Sequence, residues 1–223
     1  MNEVLVFDLD DTLFLEKDFV LSGFKSVDVW LTQTSNIKGF YDVCLNIYMS
    51  GIRGYIFNRA LDELKAIYDL SLIEKMVQVY RLHIPKISLL DDAKEILSYF
   101  SSKKSLSIIT DGYYATQANK IEALGLNRLF DFIIYSDANG KQSWKPSEWP
   151  YLELMKCYTK NDLEFIYIGD NILKDFITAR KLGWKTVHIS RAQGEYNIAQ
   201  ASKEYHADFK IDSLIKLKEL IIL

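Results

Sequence analysis

The sequence predicts an α/β fold, a parallel sheet flanked by helices and interrupted by one helical insertion. Three observations predict it. Val4-Leu5-Val6-Phe7 is apolar without alternation, as in a strand buried on both faces, and it runs straight into Asp8, Asp10 and Asp11. In the second half of the chain, short apolar runs alternate with helical segments, the rhythm of βαβ units. From about Phe14 to His83 that rhythm is missing, and apolar residues recur at helical spacing instead.

The elements follow in order. In the insertion, Phe19–Thr32, Phe40–Met49, Tyr55–Tyr68 and Leu72–Leu82 read as helices, with breaks at Asn36–Gly39, Gly51 and Gly54. Asp92, with Glu95 three residues on, predicts an N-cap box opening a helix over Ala93–Phe100. Leu106–Thr110 reads as a strand and Thr116–Leu124 as a helix closed by Gly125, a residue suited to the left-handed position past a helix end. Phe132–Tyr135 is a strand and Tyr151–Tyr158 a helix. Phe165–Ile168 is a strand, Phe176–Leu182 a helix stopped by Gly183, Thr186–Ile189 a strand and Leu214–Leu220 a last helix. The expected organisation is a core of residues 1–13 and 84–223 with a helical domain, 14–83, set into it. Right-handed crossovers then put every strand's carboxyl end on one edge.

Composition narrows the function. The chain has 223 residues and is 49% hydrophobic, enough for a sizeable core. A net charge of −3 gives no basic footprint for nucleic acid, and no apolar run reaches the length of a membrane span. Cys44 and Cys157 stand far apart without a partner motif and read as buried small apolar groups. The N-terminus enters a strand almost at once, which leaves no room for a signal peptide. A cytoplasmic protein, with neither nucleic acid nor membrane as partner, is the expectation. Nothing in the sequence signs an oligomeric state.

Four strand ends carry polar groups: Asp8 and Asp10; Thr110, Asp111 and Gly112; the loop Trp144-Lys145-Pro146-Ser147; and Gly169-Asp170-Asn171, with Asp175 beyond. A parallel sheet gathers them at one crevice. Clustered carboxylates are costly to desolvate without a cation. Magnesium takes oxygen ligands, a few carboxylates completed by water and phosphate, and Asp8 and Asp170 are candidates. Asp8 suits a nucleophile toward phosphorus and Asp10 an acid/base. The Thr110 hydroxyl, nearby N–H groups and the Lys145 ammonium suit phosphate oxygens.

Plainer roles stand beside these. Asp111 either touches substrate or caps the following helix, its backbone N–H being the better phosphate contact. Asp175 caps its helix or orients Lys145. Asp11 reads as a solvated turn residue, and Thr12 as a turn residue or an orienter of Asp10. His83 and His188 read as structural. Trp144 and Trp149 flank Lys145 and pack its loop. In the insertion, Lys25, Arg53, Asn58 and Arg59 are the polar candidates to face a substrate.

In order and content, these residues resemble the haloacid dehalogenase-like hydrolase superfamily. Asp8-Leu9-Asp10-Asp11-Thr12 resembles its first motif, Thr110-Asp111-Gly112 its phosphate-binding second, Lys145 its third-motif lysine, and Asp170 with Asp175 its fourth motif. The resemblance implies a Rossmann-like core with a helical cap inserted between the first and second motifs. It implies Asp8 as nucleophile, Asp10 as acid/base, and Thr110, Asp111 and Lys145 on phosphate. Mg²⁺ would lie on Asp8, Asp170 and the backbone carbonyl of Asp10, with Asp175 close behind. Dehalogenases of this family lack the second Asp, and its transport ATPases carry Thr there. Asp10 therefore implies a phosphatase. The expected reaction is magnesium-dependent hydrolysis of a small phosphorylated metabolite, a sugar phosphate or nucleotide, through an aspartyl-phosphate. A phosphomutase and a non-enzymatic, metal-linked binding module are the alternatives.

Overall fold

The computed structural model describes residues 3–160, 162–196 and 199–221. The chain opens with strand β1 (Glu3–Phe7). Four helices follow: α1 (Glu16–Ser35), α2 (Phe40–Met49), α3 (Ile56–Glu63) and α4 (Leu70–Leu82). Then come α5 (Asp91–Phe100), β2 (Ser105–Thr110), α6 (Tyr114–Ala123), β3 (Phe132–Tyr135), α7 (Trp149–Cys157) and β4 (Glu164–Gly169). The last elements are α8 (Phe176–Lys181), β5 (Lys185–Ile189), β6 (Phe209–Ile211) and α9 (Leu217–Leu220). The chain forms two compact units, Met1–Glu16 with Ser88–Leu223, and Lys17–Ile87.

The first unit is an α/β sheet domain. Its six strands run in the order β3-β2-β1-β4-β5-β6, every pairing parallel. β1 lies in the middle, with Phe7 opposite Ile108 of β2 and Ile168 of β4. Val4, Leu5, Val6 and Phe7 are all fully buried, which explains their unbroken apolar run. On one face Val4, Val6, Ile109 and Tyr167 pack with Tyr151, Leu154, Phe176 and Trp184. The strand order reverses direction at β1, so the crevice beyond its carboxyl end is the natural ligand site of such a sheet.

Four expectations need correction in this unit. Asp92 does not cap α5. The helix starts at Asp91 after Leu90, and the Asp92 carboxylate instead accepts from Arg191 at 2.6 Å and from the Leu214 N–H at 2.9 Å. Burial works against its charge, but these donors outweigh it and lower its pKa. The segment 206–213 holds a sixth strand, β6, too short to show a period. The last helix is a 3₁₀ turn, Leu214–Lys216, before the four residues of α9. Cys44 is buried, whereas Cys157 is only half-buried; both are free thiols.

The second unit is helical. Phe24, Val27 and Leu31 of α1 share a core with Phe40, Cys44 and Ile47 of α2, Ala60 and Leu61 of α3, and Met76 of α4. Asp69 caps α4 through a 2.8 Å bond from the Leu72 N–H. The breaks fall at Asn36, Gly39, Gly51 and Tyr55, all with left-handed φ. Phe14 stays with the sheet unit, fully buried and bridged to Asp10, while Lys86 stays with the helices, its N–H donating to Ser22 Oγ at 2.8 Å.

Candidate active site

The turn after β1 is built around a buried carboxylate. Asp11 adopts a left-handed φ of 49°, and its two oxygens accept the N–H groups of Glu16 and Glu195, both at 2.8 Å. It is 2% exposed, so it is not the solvated turn residue expected; burial raises its pKa. Thr12 does not orient Asp10, because its hydroxyl is buried with no hydrogen-bond partner among the described residues. Asp8 leaves β1 with its N–H on the carbonyl of Ile168, 2.8 Å away, which sets it beside the end of β4.

Lys145 reaches the same point from the loop after β3. Its ammonium is fully buried and lies 2.6 Å from Asp8 Oδ1, 2.8 Å from Asp175 Oδ1 and 2.7 Å from the Tyr167 hydroxyl. Burial alone would lower its pKa, but Asp175 and Asp8 outweigh that and hold it well above the usual lysine range. Asp175 does not cap α8. Its other oxygen accepts the Asn171 N–H at 2.9 Å. Gly169 makes room for it, since a Cβ there would stand 2.5 Å from Asp175 Oδ2.

Asp8, Asp170 and Asp175 each offer an oxygen within 4.8 Å of the others, all three residues buried. Burial pushes Asp8 up to about 7 despite the Lys145 charge. Burial, with Asp175 and Asp8 adding repulsion, raises Asp170 well above the carboxylate range. One ammonium facing three buried carboxylates leaves negative charge uncompensated. An all-oxygen donor set with surplus negative charge fits magnesium, with Asp8 and Asp170 as its carboxylates.

On the other flank Thr110 ends β2, fully buried, its carbonyl accepting from Ser136 Oγ at 3.0 Å. The carboxylate of Asp111 does not cap α6. Ser136 Oγ (2.6 Å) and the Lys145 N–H (3.0 Å) donate to its Oδ1, and Lys174 Nζ (2.7 Å) to its Oδ2. It thereby joins the loops after β2, β3 and β4. Burial opposes its charge, but Lys145 and Lys174 prevail and lower its pKa. Lys174 is raised in turn by Asp111, Asp175 and Asp8, against burial and Lys145.

Asp10 meets two residues that sequence reasoning missed. Lys120 Nζ lies 2.6 Å from its Oδ1 and Gln117 Nε2 2.9 Å from its Oδ2. The available signal was two polar residues, three apart, on the buried face of the helix that follows Thr110. Glu16 is nearby; burial, and then the Asp10 charge, push it up to about 7.

The remaining candidates lie elsewhere. Trp144 packs its loop, its Nε1 donating to Asp137 at 3.0 Å, and Trp149 opens α7. His83 bonds the Tyr80 carbonyl and Ser22. His188, on β5, is buried and its pKa is lowered by that burial. Within the helical unit, Arg53 and Asn58 line a cavity of about 610 Å³ with Tyr48, Phe57 and Arg81, and Arg59 is exposed. Lys25 lies outside that cavity, forming an ion pair with Asp28 at 3.4 Å.

Residues 5–189 match the model of the haloacid dehalogenase-like hydrolase family. A glyceraldehyde 3-phosphate phosphatase of Methanocaldococcus jannaschii is 29% identical over 99% of this chain and 97% of its own. Another protein of that name, from Pyrococcus furiosus, is 27% identical over 98% and 92%. The crystal structure of a HAD phosphatase from Thermococcus onnurineus superposes with a TM-score of 0.61 at 20% identity, over 98% of this chain and 97% of that one, a likeness of fold. With the family's motif residues assembled at one end of its sheet and its model matched over most of the sequence, the chain belongs to the haloacid dehalogenase-like hydrolases, as a phosphoric monoester hydrolase.

Proposed function

We propose that this chain is a magnesium-dependent phosphatase of a small sugar phosphate, working through an aspartyl-phosphate on Asp8 with Asp10 as acid/base. The observation that carries the reading is the Lys145 ammonium held between Asp8 and Asp175 in a buried carboxylate cluster. That lysine holds the nucleophile's position and offers charge to the phosphoryl oxygens as they approach Asp8. The Thr110 hydroxyl and the backbone around Asp111 complete the phosphate cradle. Mg²⁺, held by Asp8, Asp170 and the Asp10 carbonyl, would offset charge on the transferring group. Asp175 keeps Lys145 oriented. A triose phosphate fits the names of the two relatives matched along nearly their whole length. The helical unit, as a cap, would govern which leaving group is admitted. A cytoplasmic setting belongs to the same reading, consistent with two free thiols and with no described helix long and apolar enough to cross a membrane.

The test is phosphate release from glyceraldehyde 3-phosphate and a panel of sugar phosphates, with and without Mg²⁺. Activity is expected to need the cation and to vanish in Asp8→Asn. Turnover by Asp8→Asn at the wild-type rate would remove Asp8 as nucleophile, and full activity in chelator would remove the metal.

A further inference from the structure

We infer that Gln117 and Lys120 are positioning residues that hold the Asp10 carboxylate for proton transfer at the leaving oxygen, an inference that rests on the phosphatase reading above. The two side chains lie three residues apart on α6 and so project from one face of one rigid element. Each takes a different oxygen of Asp10, Lys120 Nζ at 2.6 Å from Oδ1 and Gln117 Nε2 at 2.9 Å from Oδ2. A carboxylate gripped at both oxygens cannot rotate about its terminal bond, whereas one held at a single oxygen can. Gln117 also bonds the Thr110 hydroxyl, so the acid/base and the phosphate cradle are fixed to the same amide.

Burial supports the reading. Gln117 and Lys120 are 1% and 3% exposed, while the Asp10 side chain keeps about a fifth of its surface open. The holders are withdrawn and the held group is accessible. Gly112 belongs to the same arrangement. Its φ is +127°, and a Cβ there would stand 3.1 Å from the Gln117 side chain, so a larger residue would crowd the amide that holds Asp10.

The chemistry states what the clamp is for. As an Asp8 oxygen bonds to phosphorus, the bond from phosphorus to the leaving oxygen breaks and its electron pair stays on that oxygen. Asp10 gives its proton there, producing the alcohol. The Lys120 ammonium then lies against the charge that Asp10 has gained. In the second half, Asp10 takes a proton from the attacking water as the water oxygen bonds to phosphorus and the Asp8–phosphorus bond breaks; inorganic phosphate leaves, Asp8 is a carboxylate again and Asp10 is protonated again. Neither Gln117 nor Lys120 touches the reacting atoms. Both act through Asp10, and their effect must grow with the leaving group's need for a proton.

The experiment compares kcat/KM, which reports formation of the phosphoenzyme, on an alkyl ester (a sugar phosphate) and on p-nitrophenyl phosphate, whose leaving group departs without protonation. Lys120→Met and Gln117→Leu are expected to lower kcat/KM on the alkyl ester by roughly 100-fold, the usual size of a general-acid contribution, and on the aryl ester by at least about tenfold less. Lys120→Arg, which keeps a cation in reach, is expected to recover most of the loss. Gln117→Leu carries the test alone if Lys120→Met does not fold. Equal falls on both esters, the mark of a merely structural role, or no fall on either, overturn the clamp while leaving the phosphatase reading intact. A wild-type protein inactive on both esters overturns that reading and the clamp together.

Discussion

The Lys145 ammonium and the Asp175 carboxylate meet at 2.8 Å with neither side chain exposed to solvent. A pair this deeply buried is a weak source of net stability, yet removing one partner strands the other. Lys145→Met would leave Asp8 and Asp175 facing each other with no ammonium between them. It is expected to destabilise the protein by about 3–5 kcal/mol in urea unfolding at neutral pH and to abolish phosphate release. Asp175→Asn, which keeps the shape, should cost less stability and still lower kcat. A Lys145→Met protein as stable as wild type would contradict the assigned charge balance.

The cluster also sets how stability depends on pH. Asp8 and Glu16 are pushed up to about 7, and Asp170 is raised as well. A carboxylate raised in the folded state binds more protons than in the unfolded chain, from its ordinary value near 4 up to about 7. Its contribution therefore favours folding at the acid end of that window and is lost as pH climbs through it. Asp11 is raised by burial too, and His188, lowered by burial, runs the other way but is one group against four. Below the window, Asp92 and Asp111, both lowered, lose their donors' stabilisation as they protonate. Metal-stripped protein is expected to melt highest at about pH 5 and lower at about pH 8, with Mg²⁺ raising Tm much more at the higher pH. Equal Mg²⁺ shifts at both would show that the raised carboxylates are not where the ion acts.

Asp111 and Lys174 should behave as a unit. Their atoms meet at 2.7 Å, and Asp111 also holds the backbone of Lys145. Truncating Lys174 leaves the buried Asp111 carboxylate without its ammonium, and truncating Asp111 leaves the half-buried Lys174 without its carboxylate, so Asp111→Ala and Lys174→Met should each cost stability, and the double variant less than their sum. A double-mutant cycle is expected to return a coupling of about 0.5–3 kcal/mol. Additivity would mean that the pair holds nothing together.

In the helical unit, Gly23 is the tight point. A Cβ there would stand closer to the Tyr80 ring than any real packing allows. Gly23→Val should destabilise by about 1–3 kcal/mol through overpacking, and Tyr80→Leu should relieve part of that loss. Thermal melts of the single and double variants decide it.

The sheet was legible because its strands are buried on both faces, so that Val4–Phe7 and Phe165–Ile168 show as unbroken apolar runs. β6 was not, because three residues at a sheet edge, two of them exposed, carry no period. The gathering of the candidate residues at one end of the sheet was legible for a topological reason: a parallel sheet converts position after a strand into position in the crevice. Residues whose roles depend on long-range pairing were not. Asp92 looks like a cap until Arg191 is brought to it, and Asp11 looks solvated until the Glu195 N–H closes over it. Gln117 and Lys120 sit inside a helix, where polar residues at that spacing ordinarily face water.

The central place of β1 has a consequence for how the protein is made. Val4 pairs with Ser105 on one side and with Phe165 on the other. The strand that leads into Asp8 precedes both partners along the chain and must wait for its second neighbour until β4 has been made. Loop closure over such distances is slow, and it comes late on the ribosome. The helical segment, which has a core of its own, comes between β1 and both of those partners in the sequence. A nascent chain stopped before β4 therefore holds Asp8 and Asp10 without Asp170 or Asp175, and the buried carboxylate cluster is complete only once β4 and the segment after it have been made.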